Sequence, residues 1–294
     1  MTKMKAWVLA ARPKTLTASV LPIVATTGMV YGLNHEIQWW IVACALLSSF
    51  CIQIGTNFVN DAMDFKKGAD KEGRLGPMRV TQQGHFTFKQ VMLMATAFFV
   101  LATAFGVPLV MHGGMPIAII GLLSILMGYA YTSGPMPLAY FGLGDLFVIL
   151  FFGLVAVCGF HYLLTLELFS TNAIVLGLQV GFLNTILIAI NNLRDIEGDR
   201  LVNKKTLAVY LGKTGARIWI GFLCIAPFLM GYYWLNQHLW YVYGAPLITF
   251  PLGMSIAKKI FRNEPGVIYN KFLGQSAGYG LLFSILIAIG FQIK

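Results

Sequence analysis

Of the 294 residues, 57% are hydrophobic and only 11% are charged, with a formal net charge of +10. A water-soluble globular domain carries about a quarter of its residues as charges, so this balance excludes one and assigns the chain to a membrane. Nucleic acid is excluded as a partner, because the positive charge is spread over short connections between apolar runs and no compact basic fold is left to hold a duplex.

The apolar runs, in chain order, are roughly Thr15–Leu33, Trp39–Val59, Val91–Val110, Pro116–Tyr131, Leu143–Leu164, Ala173–Asn192, Ile218–Leu235, Trp240–Ala257 and Gln275–Ile293. Their lengths are near the ~20 residues that a helix needs to cross the hydrocarbon core. Lipid admits only helices or closed barrels, and the period-2 alternation of barrel strands is missing from these runs. The predicted fold is therefore all-α, a single polytopic domain over residues 1–294 with nine transmembrane helices and motif-bearing loops at about 60–90 and 193–217. Arg12-Pro13-Lys14 interrupts the N-terminal stretch before a full-length apolar run, so the first span is expected to be retained rather than cleaved as a signal peptide.

Charge alternates between connections. Twenty of the 21 Lys and Arg fall in the N-terminus and in the loops after spans 2, 6 and 8, leaving only Lys294 at the other end. Because basic loops stay inside, that side is predicted to be cytoplasmic, with the N-terminus inside and the C-terminus outside a multi-pass cell-membrane protein. Cys44, Cys51, Cys158 and Cys224 lie within apolar runs without metal-ligand spacing, and the five histidines are scattered, so neither residue type points to a zinc site.

Two polar stripes break the separation of charge from membrane, both at the cytoplasmic end of a span. Asn57, Asp61 and Asp64 close span 2 at i, i+4 and i+7; Asn191, Asp195 and Asp199 close span 6 at i, i+4 and i+8. Helical geometry puts each set on one face, where stacked carboxylates repel one another and are costly near lipid. A hard divalent cation relieves both penalties. Mg²⁺, with Mn²⁺ as a substitute, takes oxygen ligands from one or two carboxylates and completes its shell with water and phosphate oxygens. Basic residues follow each stripe: Lys66, Lys67, Lys71, Arg74 and Arg79 after the first, Arg194, Arg200, Lys204 and Lys205 after the second. Acids that hold metal beside Lys and Arg describe a diphosphate site, in which charge developing on a leaving group is neutralised. Tyr129, Tyr131 and Tyr140 cluster around the uncharged loop after span 4, as interfacial anchors or as ring faces against positive charge. Asp145 opens span 5 on the same side, where a carboxylate suits a helix N-terminus.

At these residues the chain resembles the UbiA superfamily of intramembrane prenyltransferases, whose members have nine helices and two Asp-rich motifs on helices 2 and 6. The first motif, Asn60-Asp61-x-x-Asp64 with Lys67-Gly68-x-Asp70, places its last Asp two residues later than the commonest form. With Arg74-Leu75-Gly76-Pro77-Met78-Arg79 it is similar to the branch that prenylates 1,4-dihydroxy-2-naphthoate in menaquinone synthesis. Asn191-Asn192-Leu193-Arg194-Asp195-Ile196-x-x-Asp199, Arg12-Pro13-Lys14-Thr15 and Tyr131-Thr132-Ser133-Gly134-Pro135 are similar to that branch too. The resemblance implies that Asn57, Asp61 and Asp64 serve one Mg²⁺ and that Asn191, Asp195 and Asp199 serve another. Asn60, Lys67, Asp70, Arg74, Arg79, Arg200, Lys204, Arg12, Lys14, Tyr129 and Tyr131 are expected to bind the diphosphate or the acceptor. It implies an isoprenyl diphosphate donor, an aromatic acid acceptor, a membrane-buried prenyl tail and no obligatory protein partner. Two alternatives stand beside it: another aromatic acceptor such as 4-hydroxybenzoate, and a cation-coupled transporter. Transporters place ion sites near the bilayer midplane on broken helices, whereas both stripes here lie at one surface.

Overall fold

The computed structural model describes residues 2–66, 75–76, 79–133 and 137–293, and every regular element among them is helical. Helix α1 (Lys3–Ala11) is capped by the Thr2 hydroxyl and ends where Arg12 adopts a left-handed conformation, φ 52°. After a short 3₁₀ turn at Pro13–Thr15, α2 (Thr17–Gly32) continues at a bend of 45°. Next come α3 (Trp39–Lys66), α4 (Phe88–Gly113, opened by a Thr87/Gln90 capping box) and α5 (Met115–Ala130), the last two joined through Gly114 at φ 68°. A π-helical turn, Ile149–Val155, fuses α6 (Gly144–Val148) to α7 (Ala156–Thr165). Helix α8 (Thr171–Arg194) is followed at once by the short α9 (Ile196–Leu201). The chain closes with α10 (Leu207–Asn236, kinked at Gly212), α11 (Trp240–Gly244), α12 (Phe250–Arg262) and α13 (Tyr269–Gly290).

Six of these segments are long and apolar enough to cross a membrane, namely α3, α4, α6–α7, α8, α10 and α13, and the bent α1–α2 pair makes a seventh. The other two predicted spans take different forms. Helix α5 has only 16 residues, confined between Gly114 and the turn that starts at Tyr131. The expected span Trp240–Ala257 is divided into α11, a 3₁₀ segment Ala245–Thr249 and α12. Pro246 and Pro251 fall in this stretch, and each removes a backbone donor that a continuous helix needs.

Helix α8 forms the axis of the larger core. Its Leu176, Val180, Leu183, Ile186 and Ile190 are buried against Ile220 and Leu223 of α10, Tyr279 and Phe283 of α13 and Leu21 of α2. A second core joins α1, α3 and α4 through Ala6, Ala10, Phe58, Ala62, Val91 and Phe99. Large apolar side chains such as Leu93, Val100, Met111 and Leu122 stay exposed on the outer faces, as expected where the solvent is lipid rather than water. The arrangement brings the C-terminal ends of α3 and α8 to the same end of the bundle, beside the α1–α2 bend.

Candidate active site

A cavity of about 770 Å³ opens at that end of the bundle. Its polar mouth is lined by Arg12 and Lys14 at the α1–α2 bend, Asn57, Asn60 and Asp64 on α3, Arg79, and Asn191, Arg194, Asp195, Glu197, Asp199 and Lys204 around the end of α8. Its inner wall is apolar, built from Ala18, Phe147, Val148, Phe152, Leu187 and Ile188, with Asn184 the deepest polar residue on α8. Asn184 lies eleven residues before Asp195, so the wall runs roughly 16 Å inward at 1.5 Å per helical residue. Both polar stripes of the sequence therefore meet across one space, between charged and apolar surfaces.

The local chemistry of the first stripe is set by neighbours far away in sequence. Asn57 commits its Nδ2 to the Ala11 carbonyl at 2.9 Å and the Thr15 hydroxyl at 3.0 Å, which leaves its Oδ1 uncommitted to that pair. Asn60 Oδ1 accepts from the Thr132 hydroxyl at 2.7 Å. Asp64 pairs with Arg79 at 2.5 Å, 7% and 4% of the two side chains being exposed, and also accepts from the Tyr140 hydroxyl at 3.2 Å.

At the second stripe Arg194 is the hub. Its side chain is fully buried; Nε and Nη2 grip both oxygens of Asp195 at 2.8 and 2.5 Å, Nη2 also reaches Asn191 Oδ1 at 2.8 Å, and Nη1 reaches Asn270 Oδ1 at 2.7 Å. Asn270, at the start of α13, donates in turn to the Leu75 carbonyl at 2.9 Å and so ties the loop after α3 to this network. Lys204 lies 3.4 Å from Asp199 and over the Tyr140 ring. Burial pushes the Asp199 carboxyl up to about 6, against the pull of Lys204.

Among the buried side-chain atoms with no hydrogen-bond partner in the described residues, an acceptor and a donor lie at the cavity's polar mouth and point to what it takes. Asp199 Oδ2 is an orphan acceptor and Arg12 Nη2 an orphan donor. Buried polar atoms of this kind are costly unless a ligand satisfies them, so the pair calls for a cation and an anion together. No group of three or more His, Cys, Asp or Glu converges among the described residues. Asn57, Asn60, Asp64, Asn191, Asp195 and Asp199 all line the cavity with hard oxygen donors, the ligand type that Mg²⁺ takes alongside water and phosphate.

Some expected site residues lie elsewhere. Asp61 is buried but does not line the cavity: its oxygens accept from the backbone of Val80 and Thr81, each at 3.1 Å, and from the Thr81 hydroxyl. These bonds tie the returning loop to the end of α3. Tyr129 turns toward α4, against Phe99 and the Thr96 hydroxyl. Arg200 is about half exposed and pairs with Glu197 at 3.7 Å. Glu197, which helical spacing puts away from Asp195, does line the cavity and reaches Lys213 at 3.2 Å. The reason is the break at Asp195, where φ −96° and ψ 8° separate α8 from α9 and cancel a single helical phase. Lys67, Asp70 and Arg74 lie outside the described residues.

Asn270 was not singled out from the sequence, and Asp145, placed there only at a helix N-terminus, accepts from Trp219 Nε1 at 2.8 Å and Asn192 Nδ2 at 3.4 Å. The signal for Asn270 was slight, a polar residue beside Lys271 on the basic side of the last span.

The model of the UbiA prenyltransferase family matches residues 20–275. A Haemophilus influenzae protein named 1,4-dihydroxy-2-naphthoate octaprenyltransferase is 32% identical over 99% of this chain and 97% of its own length. An Escherichia coli protein of the same name is 32% identical over 98% and 96%. Among solved structures, a UbiA homolog from Archaeoglobus fulgidus bound to GPP and Mg²⁺ superposes with a TM-score of 0.67 at 17% identity, over 97% of this chain and 98% of that one. With the family model matched over most of its length, this multi-pass membrane chain belongs to the UbiA prenyltransferase family.

Proposed function

We propose that this chain transfers a polyprenyl group from an isoprenyl diphosphate to 1,4-dihydroxy-2-naphthoate, releasing diphosphate and CO₂ and giving demethylmenaquinol for menaquinone synthesis. The observation that carries the reading is the joint cavity: two Asn/Asp stripes and a set of Lys and Arg at its mouth, with an apolar wall behind them. Full-length relatives named for this reaction support the same acceptor.

The division of labour follows from the residues. Arg12, Lys14, Arg79 and Lys204 hold and neutralise the diphosphate. Ala18, Phe152, Leu187 and Ile188 take the first part of the prenyl tail and keep water from the allylic carbon, since an allylic cation is otherwise quenched. The Phe147 ring, with Tyr131 at a centroid distance of 5.6 Å, offers π faces to that cation. Asp64 with Asn57 and Asn60, and Asp195 and Asp199 with Asn191, would hold divalent metal, which supplies charge neutralisation to the departing diphosphate. Asp61 acts one step back, by anchoring the loop that carries Arg79. The new bond forms at the ring carbon bearing the carboxylate; the C–COO⁻ bond then breaks, its electrons restore the ring, and no separate base has to take a proton. An acceptor prenylated at a C–H carbon needs such a base, so the products distinguish the two cases.

The test is to incubate membranes containing the protein with labelled isoprenyl diphosphate and a panel of aromatic acids, and to identify products by mass. A decarboxylated prenyl-naphthol is the expected product; a prenyl-4-hydroxybenzoate that keeps its carboxylate would overturn the acceptor assignment. Turnover should require Mg²⁺ or Mn²⁺ and return on adding metal after EDTA, and full turnover in excess EDTA would sink the metal assignment. Protons compete with metal for Asp199, so Mn²⁺ affinity should be level above about pH 6 and fall below it; a flat titration from pH 5 to 8 would remove Asp199 from the ligand set. The cytoplasmic placement of the site rests on the basic loops. Reporter fusions should report the C-terminus outside, and a cytoplasmic Lys294 would remove the odd span count.

A further inference from the structure

Each half of the polar mouth is already closed by an arginine. Arg194 takes both oxygens of Asp195 and the amide oxygen of Asn191, and Arg79 takes Asp64 at 2.5 Å. Of the acids assigned to metal, only Asp199 keeps a buried oxygen with no hydrogen-bond partner among the described residues. The charge balance points the same way. The described cavity lining holds six Lys or Arg against four Asp or Glu, so a bare divalent cation enters a site with excess positive charge, which repels it most where water is scarce.

We infer that Arg194 and Arg79 are resident counter-ions that keep both metal half-sites closed until an isoprenyl diphosphate arrives, so that metal and diphosphate bind as a coupled pair rather than metal first. This rests on the reading of the cavity as a metal–diphosphate site. A planar guanidinium matches carboxylate and phosphate oxygens equally well, and can pass from one to the other without losing its charge-assisted hydrogen bonds. When the diphosphate takes Arg194, Asp195 and Asn191 are released to the metal in the same event. Asn270 is what keeps the exchange short-ranged, because it holds Nη1 in place while Nε and Nη2 change partner. By linkage, the factor by which diphosphate tightens metal binding equals the factor by which metal tightens diphosphate binding. The protein thus avoids holding metal without substrate.

The test measures Mn²⁺ binding by electron paramagnetic resonance on the purified full-length protein, with and without a saturating isoprenyl thiodiphosphate that does not ionise. The wild type is expected to bind Mn²⁺ at least about tenfold more tightly with the analogue, an effect of about 1.4 kcal/mol. Arg194→Gln removes the competing cation, so metal alone should bind at least about threefold more tightly while the analogue's effect shrinks to less than about threefold. A merely structural role for Arg194 moves the first quantity the other way, since a damaged site binds metal more weakly in both conditions. Arg194→Lys keeps the charge but not the fork, and should show the same two changes in smaller measure if Arg194→Gln does not fold. Wild-type Mn²⁺ binding that is indifferent to the analogue, with turnover still metal-dependent, overturns this inference alone. Failure to bind Mn²⁺ in either condition overturns the metal–diphosphate reading and the inference with it.

Discussion

Asp195→Asn and Asp64→Asn are each expected to lower turnover by at least about a hundredfold while the protein stays folded in the membrane. Loss of one preorganised electrostatic group at a developing charge costs about that much in other enzymes. Asn keeps the size and one oxygen of the side chain but removes the charge, so packing survives better than chemistry. Both positions line the cavity and both are ion-paired, Asp195 to Arg194 and Asp64 to Arg79. Each change therefore removes a charge from the proposed metal site and also leaves a guanidinium without its carboxylate. Glu167→Gln, an exposed substitution in the loop between α7 and α8, serves as the expression control and should keep normal turnover. The check is initial rate at saturating donor and acceptor, with folding followed by size-exclusion chromatography. Near-normal rates in both Asp variants would mean that the stripes are only solvated helix ends, and the mechanism proposed above would have to be given up.

The second large effect is on the fold. Gly153→Leu should abolish folded protein, and Gly153→Ala should cost at least the 1–3 kcal/mol typical of overpacking. Gly153 lies in the π-helical turn between α6 and α7 and faces Gly177 and Gly181 of α8. A Cβ there would lie 2.4 Å from the Gly177 carbonyl oxygen and 2.6 Å from Gly181 Cα. Those atoms are backbone and cannot rotate away, so the helices themselves must separate. Close approach through small residues is the usual way that membrane helices associate, where the hydrophobic effect gives little preference between lipid and protein. The separation would also move Phe147, Val148 and Phe152 away from α8 and open the apolar wall of the cavity. Thermal unfolding in detergent measures the effect; an unchanged midpoint for Gly153→Ala would show that the contact relaxes at little cost.

Membrane class and helical architecture were legible in the sequence because both depend on amounts. A chain with 11% charge, carried in short connections, has only one solvent in which its apolar runs are at ease. The two stripes were legible for a related reason: a carboxylate close to lipid is costly enough to need a function. Meeting of the stripes across one cavity was implied only by resemblance, since hydropathy alone does not say which spans are neighbours.

What tertiary structure alone decided is the role of each polar side chain. Periodicity put Asp61 with Asp64, but the backbone of Val80 and Thr81, returning some twenty residues later, claims Asp61. Periodicity put Glu197 away from Asp195, but the break at Asp195 turns it into the cavity. The proline-divided segment from Trp240 to Arg262 appeared in sequence as one apolar run, since hydropathy counts side chains and not backbone donors. Arg194 and Asn270 are the clearest case. On a linear chain Arg194 is one basic residue among many and Asn270 carries no charge, yet together they tie α8, α13 and the loop after α3 into one network. Burial gives those hydrogen bonds their strength, and burial is a property of the assembled helices. The amino-acid sequence by itself determined that two acid-rich helix ends lie at one membrane surface, because charge and length decide that locally. Which oxygens remain for a ligand was decided only by packing, because each polar atom takes the nearest partner that the fold supplies.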